Sequence, residues 1–181
     1  MAAKINDRQI LHRGRVYNLI RENVTLDNGV ITDMEFVEHP GATAIIPMLN
    51  ESRIILLKQY RHALRKYIWE IPAGTIDPQE SVINCAKREL IEETGYSAEQ
   101  WHKLGEITPV PGYSDERIHI YLATDLLPAG QNLDRDEIIN VHEIEFNEAM
   151  EMVNAGKIQD AKSIAGLFLA LNRLKGNNFE V

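Results

Sequence analysis

Two β-rich stretches flank a tight turn near the start of the chain. VYNLIRENVTL and VITDMEFVE lie either side of Asp27-Asn28-Gly29, and residues 16–38 read as a long hairpin. A fully apolar run at 43–49 follows Pro40-Gly41 and predicts a first central strand. RIILLKQY at 53–60 and YIWEIP at 67–72 predict two more. From 82 the period changes. Val82, Ala86 and Leu90 recur every four residues beside Ile83 and Cys85, which is the stripe of an amphipathic helix. Asp77-Pro78 and Glu80-Ser81 are both plausible starts for it, and Gly95 is a natural stop. Short strands are expected near 102–108 and 117–124, a polar acidic loop at 128–137, and a strand at 141–146. Asn147 is expected to cap a short helix closed by Gly156. Asp160 is expected to cap a longer one with a stripe of Ile164, Leu167, Phe168, Leu171 and Leu174.

The helix at 82–94 carries the most informative chemistry. At roughly 100° per residue, Glu89 and Glu93 fall inside or at the edge of its apolar stripe, with Glu92 and Arg88 further round. A solvated helix end explains Glu92 and Arg88. It explains Glu89 and Glu93 poorly, because carboxylates are rarely buried unless paired or metal-bound. Carboxylates at i and i+4 project from neighbouring turns on one side, so they could hold one cation or bridge two. Arg88 could pair with Glu80 or Glu92 and fix their rotamers. With no Cys or His ligand spacing nearby, a hard cation is expected. Mg²⁺ fits, and Mn²⁺ satisfies the same preference.

Residues 74–96 fit G-x5-E-x7-R-E-U-x-E-E-x-G-U, where U is apolar. Gly74, Glu80, Arg88, Glu89, Leu90, Glu92, Glu93 and Gly95 match, and Tyr96 matches loosely. At about 5–7% per fixed residue type, the odds of a chance match at one start are on the order of one in a billion. The segment resembles the Nudix box of the Nudix hydrolases, with Tyr96 where an aliphatic residue is usual. The resemblance implies an α/β fold, an α/β/α sandwich around a mixed sheet, here with a small N-terminal antiparallel β-sheet. It also implies that Glu89, Glu92 and Glu93 carry the metals, with the carbonyl of Ala73 as a further ligand.

KQYRHALRK at 58–66 gathers cations just before the box. A solvated strand end is the plain reading; a phosphate clamp is the functional one, with Arg61 the better anchor because its planar fork binds two oxygens. Together QYR and WEIPAG resemble the ADP-ribose pyrophosphatase branch, which selects Arg61 for substrate, with Trp69 and Glu70 as weaker choices. TPVPGYSDER at 108–117 resembles the proline loop of that branch, placing Pro111 and Glu116 at the substrate. In LDRDEI at 133–138 the resemblance implies a general base. Alignment of the following INVHEIEF selects Glu137, with Asp134 and Asp136 as alternatives. Tyr17 and Phe36 on the hairpin are candidates for stacking on the base.

Composition narrows the classes. A net charge of −8 argues against sequence-independent nucleic-acid binding, so phosphate affinity must be local or metal-mediated. One cysteine, Cys85, excludes an intramolecular disulfide and reads as a core thiol. No run approaches the ~20 apolar residues of a membrane span, and no basic start precedes an apolar stretch, so a cytoplasmic protein is expected. The expected division is a dimerisation hairpin at 1–40 and a hydrolase domain at 41–181. The resembling branch forms homodimers in which the N-terminal sheet crosses to the partner. The resemblance thus implies a Mg²⁺-dependent hydrolase of nucleoside diphosphate sugars, ADP-ribose first, giving AMP and ribose 5-phosphate. GDP-mannose or another hexose nucleotide is the alternative substrate. A catalytically inactive nucleotide-binding module is the alternative class.

Overall fold

The computed structural model describes residues 3–133, 135 and 137–176. They divide into two compact units, one of residues up to Gly41 together with 108–117, the other of the remaining chain.

The first unit is a three-stranded antiparallel sheet of β1 (Lys4–Arg13), β2 (Asn18–Thr25) and β3 (Ile31–Glu38), with β2 in the middle. The expected hairpin is β2–β3. Its turn closes through the Gly29 amide donating to the Leu26 carbonyl at 2.9 Å, with Gly29 at φ 82°. The additional strand β1 was not expected. KINDRQILHR has no clean alternation, and every residue of it but Leu11 is exposed. Polar rungs hold one face together: Arg21 on Glu35 at 2.6 Å and Asn23 on Asp33 at 2.7 Å. The opposite face carries the buried Ile20 and Val24. Residues 108–117 group with this unit. Tyr113 accepts from the Val37 amide at 2.8 Å, and Asp115 accepts from the His39 amide at 2.8 Å.

The second unit has two sheets. β4 (Ala42–Pro47), β7 (Ala73–Thr75), β8 (Tyr96–Ile107) and β9 (Ile118–Pro128) form a mixed sheet ordered β7-β4-β9-β8, in which only β4 and β9 are parallel. β5 (Arg53–Arg61), β6 (Lys66–Glu70) and β10 (Ile139–Glu145) form an antiparallel sheet with β5 central. β4 is buried along its whole length because helices cover both faces of its sheet. Ile45, Tyr121 and Ala123 pack on Ala86 and Leu90 of α1 (Val82–Thr94). Their strand neighbours Ala44, Ile46, Ile120 and Leu122 join the core with Ala149 and Met152 of α2 (Phe146–Asn154) and Leu167 and Ala170 of α3 (Ala161–Leu174). This is the expected α/β/α arrangement.

Several boundaries moved. Ser81 wins the competition to cap α1, its hydroxyl accepting from the Asn84 amide at 3.3 Å, while Asp77 and Pro78 stay in the preceding loop. α2 starts at Phe146, so Asn147 lies inside it rather than capping it. The strands expected near 102–108 and 117–124 extend to 96–107 and 118–128 because they pair with each other along most of their length. Phe168 and Leu174 stay 44% and 48% exposed, so only part of the α3 stripe is core.

Candidate active site

The chain from β7 into α1 builds the carboxylate cluster. Gly95, at φ 77°, stops α1 by donating its amide to the Ile91 carbonyl. The helix presents Glu89 and Glu93 inward, 8% and 2% exposed. Gly74 makes this fit: a Cβ there would lie 1.8 Å from Oε1 of Glu89. The glycine is thus a cradle for a carboxylate, close to the β7 backbone. Glu93 accepts from the Ala73 amide at 2.8 Å.

Arg88 pairs with both of its expected partners and with a third. Nε and Nη2 bind the two oxygens of Glu80 at 3.0 and 2.9 Å. Nη1 bridges Glu89 at 2.7 Å and Glu92 at 3.0 Å. Nη2 also reaches the Thr75 carbonyl at 3.2 Å, so one guanidinium locks the loop to the helix. The hydrogen bond to Glu80 leads in raising the Arg88 pKa, and that to Arg88 leads in lowering Glu80.

One cation shared among three carboxylates does not compensate the inner pair. Burial pushes Glu89 up to about 7, with the charges of Glu92 and Glu137 adding to it and Arg88 opposing. Burial also raises Glu93 well above the carboxylate range, with Glu89 and Glu137 contributing. Buried carboxylates that repel one another are a donor set suited to a divalent cation. Among the described residues, no three acidic, imidazole or thiolate side chains converge closely enough as they stand to hold a metal ion. Arg88 holds Glu92 and part of Glu89 instead. An open set of few carboxylates nevertheless fits Mg²⁺, which keeps waters and takes substrate phosphate oxygens.

Arg61, expected at the phosphate, makes a two-bond fork to Glu70 at 2.6 and 2.7 Å. Glu70 is buried and also bonds Lys162. Burial alone would raise Glu70, but Arg61 and Lys162 together outweigh it and hold the carboxyl below its ordinary range. Lys162 continues to Asp160 at 3.0 Å, and Ser163 accepts from the Ile71 amide at 2.9 Å, tying β6 to α3. Arg61 stands near enough to Glu93 to oppose the rise in its pKa. Trp69 packs against the core, with His142 edge-on at 4.8 Å and Lys58 at 5.5 Å from its ring centre.

Arg61, Arg88, Glu89, Glu92, Glu93 and Ala73 therefore gather in the second unit. Half-buried Glu137 joins them, since its charge is felt at both Glu89 and Glu93. Asp134 and Asp136 lie outside the described residues. Tyr17, Pro111 and Glu116 belong to the first unit. Tyr17 is 49% exposed, Pro111 sits in a turn closed by Val110, and Glu116 lies 3.8 Å from His39. The Lys162–Asp160–Ser163 relay was missed. Asp160 was legible as a cap, but nothing in the sequence links α3 to Glu70.

Strand β7, with Gly74, the loop after it and the carboxylate-bearing α1 form one strand–loop–helix element on the mixed sheet. The chain belongs to the Nudix family, whose NUDIX domain model matches residues 38–167. It is a hydrolase, and hydrolases of this family generally use divalent metal ions. Over 152 residues it is 40% identical to an ADP-ribose pyrophosphatase of Bacillus subtilis (strain 168), covering 83% of this chain and 82% of the relative. It is also 40% identical to a methanol dehydrogenase activator of Bacillus methanolicus over 153 residues, covering 83% of each. A solved ADP compounds hydrolase superimposes with a TM-score of 0.85 at 26% identity, covering 98% of this chain and 97% of that one.

Proposed function

We propose that the protein hydrolyses nucleoside diphosphate sugars with Mg²⁺, ADP-ribose first among them, releasing AMP and ribose 5-phosphate. The observation that carries this reading is the buried, mutually repelling pair Glu89 and Glu93 beside the Gly74 cradle, next to an Arg61 already oriented by Glu70. Glu89, Glu92, Glu93 and the Ala73 carbonyl would hold the cation. When bound, it supplies charge neutralisation on the pyrophosphate and acidification of a water. The chain's own residues do the rest. Glu70 fixes the Arg61 fork by accepting from Nε–H and from one N–H of Nη2, leaving the other N–H groups to meet a phosphate oxygen. Arg88 sets the rotamers of Glu80, Glu89 and Glu92. Glu137 takes the proton from the attacking water. Pro111, Glu116 and Tyr17 shape and stack the nucleotide and sugar. The N-terminal sheet at 1–40 acts as a dimerisation domain that completes the partner's pocket.

The names of the relatives favour ADP-ribose over a hexose nucleotide. The test is a substrate panel of ADP-ribose, GDP-mannose and nucleoside triphosphates with Mg²⁺, with product identification. AMP and ribose 5-phosphate from ADP-ribose, with little triphosphate turnover, are expected. Binding of ADP-ribose without turnover would instead identify an inactive nucleotide-binding module. Glu137→Gln should lower kcat about 10²–10⁴-fold with little change in affinity.

A further inference from the structure

The last carbonyls of a helix have no partner within it. At the end of α1 they are taken up by the segment that leads into the acidic loop. Ala129 and Gly130 donate their amides to the Gly95 carbonyl at 2.8 and 3.1 Å, and Asn132 donates its amide to the Glu92 carbonyl at 3.0 Å. Gln131 Nε2 donates to the Glu93 carbonyl at 2.6 Å. The approach is close, since a Cβ on Gly95 would meet the Gln131 amide nitrogen at 3.0 Å. Downstream, the Tyr60 amide donates to the Ile138 carbonyl at 3.1 Å and Ile139 pairs with Gln59. Asn132 and Ile138 are therefore both anchored, the first to the helix that bears Glu89 and Glu93 and the second to β5. Three of the four helix-end contacts use backbone groups that any residue but proline would supply. The Gln131 amide group is the residue-specific one. It grips the carbonyl of the residue whose carboxylate lies deepest in the cluster.

We propose that Gln131 is a positioning residue, which holds the loop bearing Glu137 in register with the carboxylates of α1. This rests on the reading of Glu137 as the base. A plain helix cap would contribute stability alone. A positioning residue changes the chemical step and leaves substrate binding intact.

Three substitutions separate the two roles. Gln131→Ala removes the donor. Gln131→Glu offers only acceptors when ionised, against a carbonyl. Gln131→Lys keeps a donor and suits the negative end of the helix dipole. With ADP-ribose and Mg²⁺, Ala and Glu should lower kcat by about 10–100-fold, the scale of losing a partner that orients a functional group, with KM within about twofold. Lys should restore kcat to within about threefold of the parent, on the same scale. Hydrogen exchange, read without substrate or metal, should speed up at the amides of Asn132, Leu133 and Glu137 in Gln131→Ala but not at Cys85 to Leu90. In a Glu137→Gln background, Gln131→Ala should slow turnover by no more than about twofold, since coupled residues are not additive. Unchanged kcat in Gln131→Ala, a loss that Lys does not rescue, or a full loss persisting in Glu137→Gln overturns the proposal. Normal turnover by Glu137→Gln itself would instead sink the base assignment, whatever Gln131 does.

Discussion

Gly74 and Glu89 show how tightly one residue type fixes another. The carboxylate of Glu89 occupies the space where any other residue at 74 would place its Cβ, 1.8 Å from Oε1. The obstructed atom is the end of a flexible side chain, so Gly74→Ala should fold and simply turn Glu89 aside. A misplacement on the order of 1 Å in a reacting constellation costs about 10²-fold in rate. Gly74→Ala should show that loss in kcat at saturating Mg²⁺, with a melting temperature within a few degrees of the parent. Glu93→Gln makes the complementary change. It keeps size and removes an ionisable group whose charged form burial already disfavours, so the metal-free protein should melt no lower, and the rise in melting temperature on adding Mg²⁺ should shrink. Full turnover in Glu93→Gln would remove it from the cation's ligands. The inward carboxylates were legible because helical period alone set Glu89 and Glu93 on an apolar stripe. The partners of Arg61 were not. A guanidinium in a cationic run reads as free for phosphate, and only folding brings Glu70 across from the next strand, at the register Leu57 opposite Glu70.

At the scale of elements, the Arg61–Glu70–Lys162 relay fastens β5 and β6 to the start of α3. Its acid response has a definite sign. The folded Glu70 carboxyl titrates below its ordinary value, about 4.3 in the unfolded chain. Its contribution is therefore complete above that unfolded value. It is lost as pH falls from there through the lower folded value, because over that interval the unfolded chain holds a proton that the folded carboxyl does not. Glu70→Gln should cost about 3 kcal/mol at pH 7, the lower end of the range for breaking a buried pair, because Arg61 is 40% exposed. Its urea midpoint should also fall less steeply than the parent's as pH drops below about 4.3. An equally steep fall would move the acid sensitivity elsewhere. Element types followed from period, caps and turns, and the Ser81 and Asp160 caps are examples. β1 did not, because a strand with one rung-forming isoleucine near each end has no pattern of its own. It is recognisable only once Ile5 stands opposite Val24 and Ile10 opposite Ile20.

At the scale of the whole molecule, that register raises the question of assembly. Directly paired residues share a face of a sheet. Ile5 and Ile10 therefore lie on the face of Val24 and Ile20, which are 5% and 0% exposed. Yet Ile5 and Ile10 remain 54% and 36% exposed. Phe36 and Met34 extend the same face on β3, where they stand opposite Ile20 and Glu22. β1 also leaves one edge of its sheet without a neighbouring strand among the described residues, and an open edge of ten residues is a surface that chains usually cover. Three strands with so small a core gain little stability alone. A second copy of the chain is the expected cover, in line with the dimer proposed above. Light scattering at micromolar concentration should give twice the mass of the 20.6 kDa chain. Ile5→Glu combined with Ile10→Glu places two charges on the half-covered face and should shift the protein towards monomer. The hydrolase unit should survive, because its core residues lie wholly within 42–170. If each pocket borrows residues from the partner's sheet, KM for ADP-ribose should rise about tenfold or more in the double variant, the loss of roughly 1.4 kcal/mol of binding. The rise should shrink as enzyme concentration drives reassociation. A monomeric parent with full activity, or a monomeric variant with unchanged KM, would show that the sheet contributes nothing to catalysis in a neighbour.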